Sequence, residues 1–126
     1  MSAVATELGS RFAEVVQAAR GGILREGGLV VATSGGLDSM VLLHLLRFGF
    51  QSSGLPIHVA HFDHRTREGS RSDSEWVCGV ASVWGLPVFV ERAQEPLRSE
   101  ESARNARYSY LESVRRAVRA DVVVTA

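Results

Sequence analysis

The stretch Leu29-Val30-Val31-Ala32-Thr33-Ser34-Gly35-Gly36-Leu37-Asp38-Ser39 decides the fold. Its first five residues are an unbroken run rich in β-branched side chains with no polar alternation, which predicts a strand covered on both faces, as in a parallel sheet. Gly35-Gly36 interrupts that strand. Met40, Val41, Leu42, Leu43, Leu45 and Leu46 then predict an apolar-rich helix that Gly49 and the Ser52-Ser53-Gly54 cluster bring to an end. The order is strand, glycine turn, helix.

On either side the alternation continues. Upstream, Leu8, Phe12, Val15, Val16 and Ala19 fall at helical spacing, and Gly21-Gly22 supplies a left-handed closure for a helix there. Downstream, Pro56 introduces a second strand from Ile57 to Phe62, and a polar loop from Asp63 to about Ser72 leads to a helix carrying Trp76, Val77, Val80, Ala81 and Val83. Gly85 stops that helix. Pro87-Val88-Phe89-Val90 predicts a third strand, and Ser99 opens a long helix through Ala103, Ala106, Tyr110, Leu111, Val114 and Val118. Asp121 to Thr125 predicts a fourth strand. The fold class that follows is α/β: a doubly wound parallel sheet with right-handed crossovers and helices on both faces.

With 126 residues, 45% of them hydrophobic, the chain is long enough to bury the core of one domain. No repeat, low-complexity tract or linker divides residues 1–126. The chain ends on Ala126, at the tip of an apolar strand. Functional loops of open α/β sheets lie beyond the carboxyl ends of the strands, so part of the domain is expected beyond that residue. A last apolar strand without a covering helix also predicts self-association.

Lys and Arg number 14, as do Asp and Glu, so net charge exerts no global pull toward nucleic acid or membrane. Every one of those cations is Arg. The chain therefore offers no lysine for a Schiff base or for cradling phosphate. Cys78 is the single cysteine, which excludes an intrachain disulfide, a C-x-x-C pair or a four-cysteine zinc site. It reads as a small buried hydrophobe beside Trp76, Val77 and Val80. The expected location is a reducing cytoplasm. Met1 to Ser10 include Glu7 and lack a long apolar run, so neither an export signal nor a membrane anchor is expected.

Successive backbone N–H groups from Ser34 to Ser39, unobstructed at Gly35 and Gly36, predict an anion-binding nest at a helix N-terminus. Ser34 and Ser39 add hydroxyls. Asp38 would repel a bare phosphate, and Mg²⁺ held between the two removes the conflict. The plainer alternative is a tight strand-to-helix turn in which Asp38 merely favours the helix dipole. Two other nucleotide loops fail on spacing: Walker A requires a Lys, and the dinucleotide fingerprint requires a third glycine where Ser39 and Met40 stand. Arg104 and Arg107, three apart on the last helix, share a face that suits one anion, or they pair with Glu100, Glu101 or Glu112. His61 and His64 lie at and just past the carboxyl end of the second strand, the side on which sites form. Without a third ligand they suit substrate or nucleotide contact, or loop packing, better than a metal.

Ser34-Gly35-Gly36-Leu37-Asp38-Ser39 resembles the Ser-Gly-Gly-x-Asp-Ser signature of the PP-loop ATP pyrophosphatases. The resemblance implies that the loop binds the pyrophosphate end of ATP, that ATP is cleaved to AMP and pyrophosphate, and that a substrate oxygen is adenylated. Two further stretches resemble one branch, the tRNA(Ile)-lysidine synthetases. His61-Phe62-Asp63-His64-Arg65-Thr66-Arg67 is similar to that branch's His-x-Asn-His-x-x-Arg segment, departing from it at Arg65-Thr66, where glycine or an apolar pair is more usual. Glu100-Glu101-Ser102-Ala103-Arg104-Asn105-Ala106-Arg107-Tyr108 is similar to its Glu-x-x-Ala-Arg-x-x-Arg-Tyr helix start.

The resemblance implies a ligase that activates the wobble cytidine of isoleucine tRNA with ATP and joins free lysine to it. ATP and Mg²⁺ are the implied cofactors. The implied partners are free lysine and the anticodon loop of tRNA(Ile). Asp38 is the implied catalytic residue and Mg²⁺ ligand; Ser34, Gly35, Gly36, Leu37, Asp38 and Ser39 bind ATP, and His61, His64, Arg104 and Arg107 contact substrate or nucleotide. The branch continues into a His-x-x-Asp-Asp segment and tRNA-binding domains, so these residues correspond to its N-terminal part. A tRNA thiolase of the same superfamily is the alternative, weakened by the lack of a cysteine pair, and a non-catalytic nucleotide-binding module is another.

Overall fold

The computed structural model describes residues 13–15, 17, 27–49, 55–65, 70–94 and 99–125. Most of the expected first helix, Leu8 to Ala19, lies outside these residues; Ala13–Val15 and Gln17 are helical, and Val15 is buried. Strand β1, Leu29–Ala32, pairs in parallel with β2, Ile57–Asp63, on one side and with β4, Val122–Val124, on the other. Strand β3, Val88–Arg92, pairs in parallel with β2, and the order across the sheet is β3-β2-β1-β4. The helices are α1, Leu37–Gly49; α2, Ser70–Val83; and α3, Glu100–Val118.

Both faces of β1 are covered, which explains why its sequence does not alternate. Leu29 and Val31 point into a core with Leu42, Leu43 and Leu46 of α1 and Val77 and Ala81 of α2. Val30 points the other way, against Tyr110, Leu111 and Val114 of α3. The first two crossovers thus lie on one face and the third on the other, and the winding reverses between β1 and β4. At such a reversal the loops after neighbouring strands part, leaving a crevice at the carboxyl edge. The Ser34–Ser39 loop follows β1, one of the two strands that bound it.

Several boundaries differ from the expected ones for physical reasons. α1 begins at Leu37, three residues before the first expected apolar residue, because Gly36 O already accepts the Met40 N–H at 3.1 Å. α2 begins at Ser70, inside the stretch expected to be loop. Trp76 and Val83 are not core residues: they are 57% and 83% exposed, and α2 buries Val77 and Ala81 instead. Cys78 is only partly buried. β3 runs to Arg92 and is an edge strand whose Phe89 and Val90 are exposed.

α3 starts as expected. Ser99 is its N-cap, with Oγ accepting the Ser102 N–H at 3.1 Å. At its far end Arg119 takes the left-handed conformation at φ 59°, and its N–H returns to Arg115 O and Arg116 O.

Candidate nucleotide-binding site

The loop between β1 and α1 is held by its own hydroxyls. Ser39 Oγ, buried, accepts the Ser34 N–H at 3.1 Å, donates to Gly36 O at 3.1 Å and lies 3.2 Å from Ser34 Oγ. Ser34 Oγ in turn accepts the Gly36 N–H at 3.2 Å. Ser39 therefore ties both ends of the turn together, and Ser34 braces its middle. The consequence is a loop whose shape is held by bonds within it.

That setting leaves the N–H groups of Leu37, Asp38 and Ser39 in the first turn of α1, where helix geometry offers them no intrahelical acceptor. They carry the partial positive charge of the helix end, an arrangement suited to phosphate. Gly35 sits at φ 86°, and a Cβ there would lie 3.2 Å from Asp73 Cβ. The turn thus needs glycine at this position both for its backbone angle and for the close approach of α2. Asp38 is exposed and Leu37 is 76% exposed, so both side chains stand clear of the sheet.

Fit to Mg²⁺ can be judged on this donor set. Among the described residues no three His, Cys, Asp or Glu side chains gather around one point. Mg²⁺ bound with a nucleotide commonly takes one or two carboxylates together with phosphate oxygens and water. A single exposed carboxylate at the N-terminal end of a helix fits that mode.

A second group of polar side chains lies at the end of β2. His61 is 4% exposed and its Nδ1 donates to Thr33 O at 2.7 Å. A carbonyl can only accept, so Nδ1 carries a proton, while Nε2 is buried and unpartnered. The same bond fastens β2 to the residue preceding the loop. Asp63, 3% exposed, accepts the Arg65 N–H at 2.9 Å and lies 3.4 Å from Arg92 Nε. Asp63 and Arg92 are register partners in the parallel pair, which brings the charges together.

Arg65 occupies the left-handed region at φ 58°. This conformation costs a non-glycine residue roughly 1–2 kcal/mol. Arg65 offsets the cost with Nη1 bonds to Ala93 O at 3.3 Å and Gln94 O at 2.6 Å, joining the ends of β2 and β3.

His64 packs edge-on against Phe62, with ring centroids 4.9 Å apart, and its Nδ1 is buried without a partner. Burial lowers its pKa from 6.5, and the Arg107 guanidinium lowers it further; Asp63 opposes them. Arg107 Nε is also buried and unpartnered. His61 Nε2, His64 Nδ1 and Arg107 Nε are thus unmet polar atoms in one neighbourhood, the condition expected where a polar ligand completes the structure. Arg104 stays exposed on α3.

Because the His64 pKa is depressed by folding, the unfolded chain binds its proton more readily. The stability tied to neutral His64 is complete above about pH 6.5 and is lost as pH falls through the folded pKa. NMR titration of the imidazole should give a value below 6.5. In Arg107→Met it should move upward as the repelling charge goes, while burial keeps it below the free value; no upward movement would refute the Arg107 contribution.

Glu112, offered as a partner for Arg104 or Arg107, instead pairs with Arg115 and Arg116. Their hydrogen bonds, Arg115's the larger influence, hold its carboxyl at about 2. Three features escaped sequence reasoning: Asp73 against Gly35, the Asp63–Arg92 pair, and the buried, unpartnered hydroxyl of Tyr110. Burial, with help from Glu91, pushes that phenol up to about 12. Tyr110, Phe62, Glu91, Arg92 and Ala106 help line a cleft of about 610 Å³ between α3 and the ends of β2 and β3. Only the β2–β3 register and the side on which α3 packs bring these residues together.

A parallel sheet bearing a Ser-Gly-Gly-x-Asp-Ser turn after its first strand defines a class, and the chain belongs to it: residues 4–126 match the PP-loop domain family. Among curated relatives, the tRNA(Ile)-lysidine synthase of Gloeobacter violaceus is 46% identical over 105 residues, covering 82% of this chain and 32% of that protein. The tRNA(Ile)-lysidine synthase of Nostoc sp. is 36% identical over 115 residues, covering 90% and 34% respectively. That of Thermotoga maritima is 38% identical over 112 residues, covering 82% and 27%. The chain spans about a third of the length of these relatives. Among the described residues no helix is long and apolar enough to cross a membrane.

Proposed function

We propose that this chain is the N-terminal, ATP-binding part of a cytoplasmic ligase that adenylates the wobble cytidine of isoleucine tRNA and joins free lysine to it, releasing AMP and pyrophosphate. The observation that carries the proposal is the hydroxyl-locked Ser34–Ser39 turn at the N-terminus of α1. The relatives' names support the choice of substrate.

The first-turn N–H groups and the Ser39 hydroxyl bind the terminal phosphates and stabilise charge as pyrophosphate leaves. Asp38 would hold Mg²⁺, which when bound supplies charge neutralisation between carboxylate and phosphate. Arg107 and the unpartnered ring nitrogens of His61 and His64 contact nucleotide or substrate, with Arg104 at the rim. The attacking amine belongs to lysine, in keeping with a chain that contains no lysine of its own. Self-association through the β4 edge of the sheet is part of the proposal for the isolated chain, and sedimentation at high concentration tests it.

Labelled lysine, ATP and isoleucine tRNA mixed with the longer protein should yield lysine-modified tRNA and one AMP per lysine. AMP release that depends on another acceptor, with no lysine incorporated, would move the protein to another PP-loop reaction such as tRNA thiolation. Saturable ATP binding without AMP release would make it a nucleotide-binding module.

A further inference from the structure

We infer that Tyr108 is a stacking platform for an unpaired nucleobase of a single-stranded RNA loop, with Arg104 and Arg107 receiving the flanking phosphates. This rests on the RNA-ligase reading. It adds a residue and a mode of contact that the reading does not contain.

Phe62 and Tyr110 have ring centroids 5.6 Å apart, and Arg107 acts electrostatically on His64. This part of α3 is therefore level with the carboxyl end of β2, beside the candidate site. On it Tyr108 is 50% exposed, and its only ring or cation contact among the described residues is with the Arg107 guanidinium, whose Cζ lies 5.2 Å from the ring centroid. The other exposed aromatic side chains differ in setting. Phe48 packs against His44 and Trp84, Trp76 projects from α2, and Phe89 lies on the edge strand.

The neighbouring charges strengthen the case. Arg115 and Arg116 are paired with Glu112, and Arg92 with Asp63, whereas among the described residues neither Arg104 nor Arg107 has a carboxylate partner. The chain has no net charge, so attraction to a polyanion has to come from such a local pair. A half-exposed ring with one guanidinium over it and a second beside it, neither with a carboxylate partner among the described residues, suits single-stranded RNA, whose bases stack on aromatic rings while cations follow the backbone. Double-stranded RNA keeps its bases stacked internally and cannot use the ring. Glu101 lies on the same stripe as Arg104 and Tyr108, one turn toward the helix start, and bounds the basic surface on that side.

The test uses the longer protein with two probes: an RNA hairpin with an unpaired loop, and a blunt RNA duplex of similar length. Tyr108→Leu keeps the apolar bulk and helical preference while removing the π-face. It should weaken hairpin binding about tenfold, leave duplex binding and the circular dichroism spectrum unchanged, and be rescued by Tyr108→Trp. Arg104→Gln should reduce the slope of log affinity against log salt by about 0.7, the loss of one phosphate contact on a single strand. Wild-type hairpin affinity in Tyr108→Leu, or equal losses on hairpin and duplex, would overturn the stacking role while leaving the ligase reading intact. If the wild-type protein binds no RNA loop, the RNA-ligase reading fails together with it.

Discussion

Gly28→Val is expected to leave the protein largely unfolded at room temperature. Gly28 sits at φ 74°, and a Cβ there would lie 2.0 Å from Pro56 O, a backbone atom that no side-chain rotation can clear. Pro56 O also accepts the Leu29 N–H at 2.9 Å, so moving it breaks the bond that starts the β1–β2 pair. On the other side of β1, the Gly28 N–H donates to Asp121 Oδ2 at 3.1 Å and Gly28 O accepts the Asp121 N–H at 3.0 Å, which sets the entry to β4. One residue thus holds the amino ends of three adjacent strands in register. Left-handed strain alone costs about 1–2 kcal/mol, and the overlap with backbone brings the expected loss to at least ~4 kcal/mol. That is most of the stability of a domain at the lower end of the ~5–15 kcal/mol range. Urea denaturation followed by circular dichroism measures it, with Gly79→Ala as the control. Gly79 lies within α2 with nothing within 4 Å of an added Cβ, so the control should gain roughly 0.5–1 kcal/mol. A Gly28→Val midpoint equal to wild type would show that the backbone here yields more easily than its contacts imply.

Ser39→Ala in the longer protein is expected to lower kcat/KM for AMP formation by about 10²–10³, the effect of losing one preorganised donor at a site of developing charge. The hydroxyl has two duties. It holds the loop, accepting from Ser34 and donating its one proton to Gly36 O, and it must turn that proton away from Gly36 O to donate to a departing phosphate oxygen. Alanine leaves the Ser34 N–H without that acceptor, a cost of about 1–3 kcal/mol if the group stays dry. The loop should then relax away from the shape that aims the first-turn N–H groups of α1. Ser39→Thr keeps the hydroxyl and should recover much of the rate. AMP production by the alanine variant within a few-fold of wild type would remove Ser39 from the mechanism and leave the backbone nest alone.

The residues that announced themselves were those whose constraint is local. A β-branched run covered on both faces, two glycines before a helix, and a serine three residues ahead of the Ser102 N–H each state their conformation over a few neighbours. That is why the element order, the α/β class and the Ser99 cap were legible in the amino-acid string. Where the helix begins was less so. Leu37, Asp38 and Ser39 belong to α1 because Gly36 O closes the first turn, a matter of backbone geometry rather than of hydrophobic pattern.

Trp76 belongs to the apolar pattern of α2 yet lies exposed, for a related reason. Periodicity says that a helix has an apolar stripe, but which side chains are covered depends on what packs against it. α2 lies over β2 and the edge strand β3, leaving Trp76 at 57% exposure. The same holds at the carboxyl edge. His61, His64 and Arg107 were nameable from their motifs, but that His61 spends Nδ1 on Thr33 follows from the β1–β2 pairing, and that the Arg107 charge acts on His64 while Arg104 stays exposed follows from how α3 docks on the sheet. Sequence alone set the strand-turn-helix grammar and the glycine-serine make-up of the turn, because both depend on residues close together in the chain. The β3-β2-β1-β4 order, the pairing of Asp63 with Arg92 and the cluster of unmet nitrogens were decided by tertiary structure, because each depends on residues that only the crossovers bring side by side.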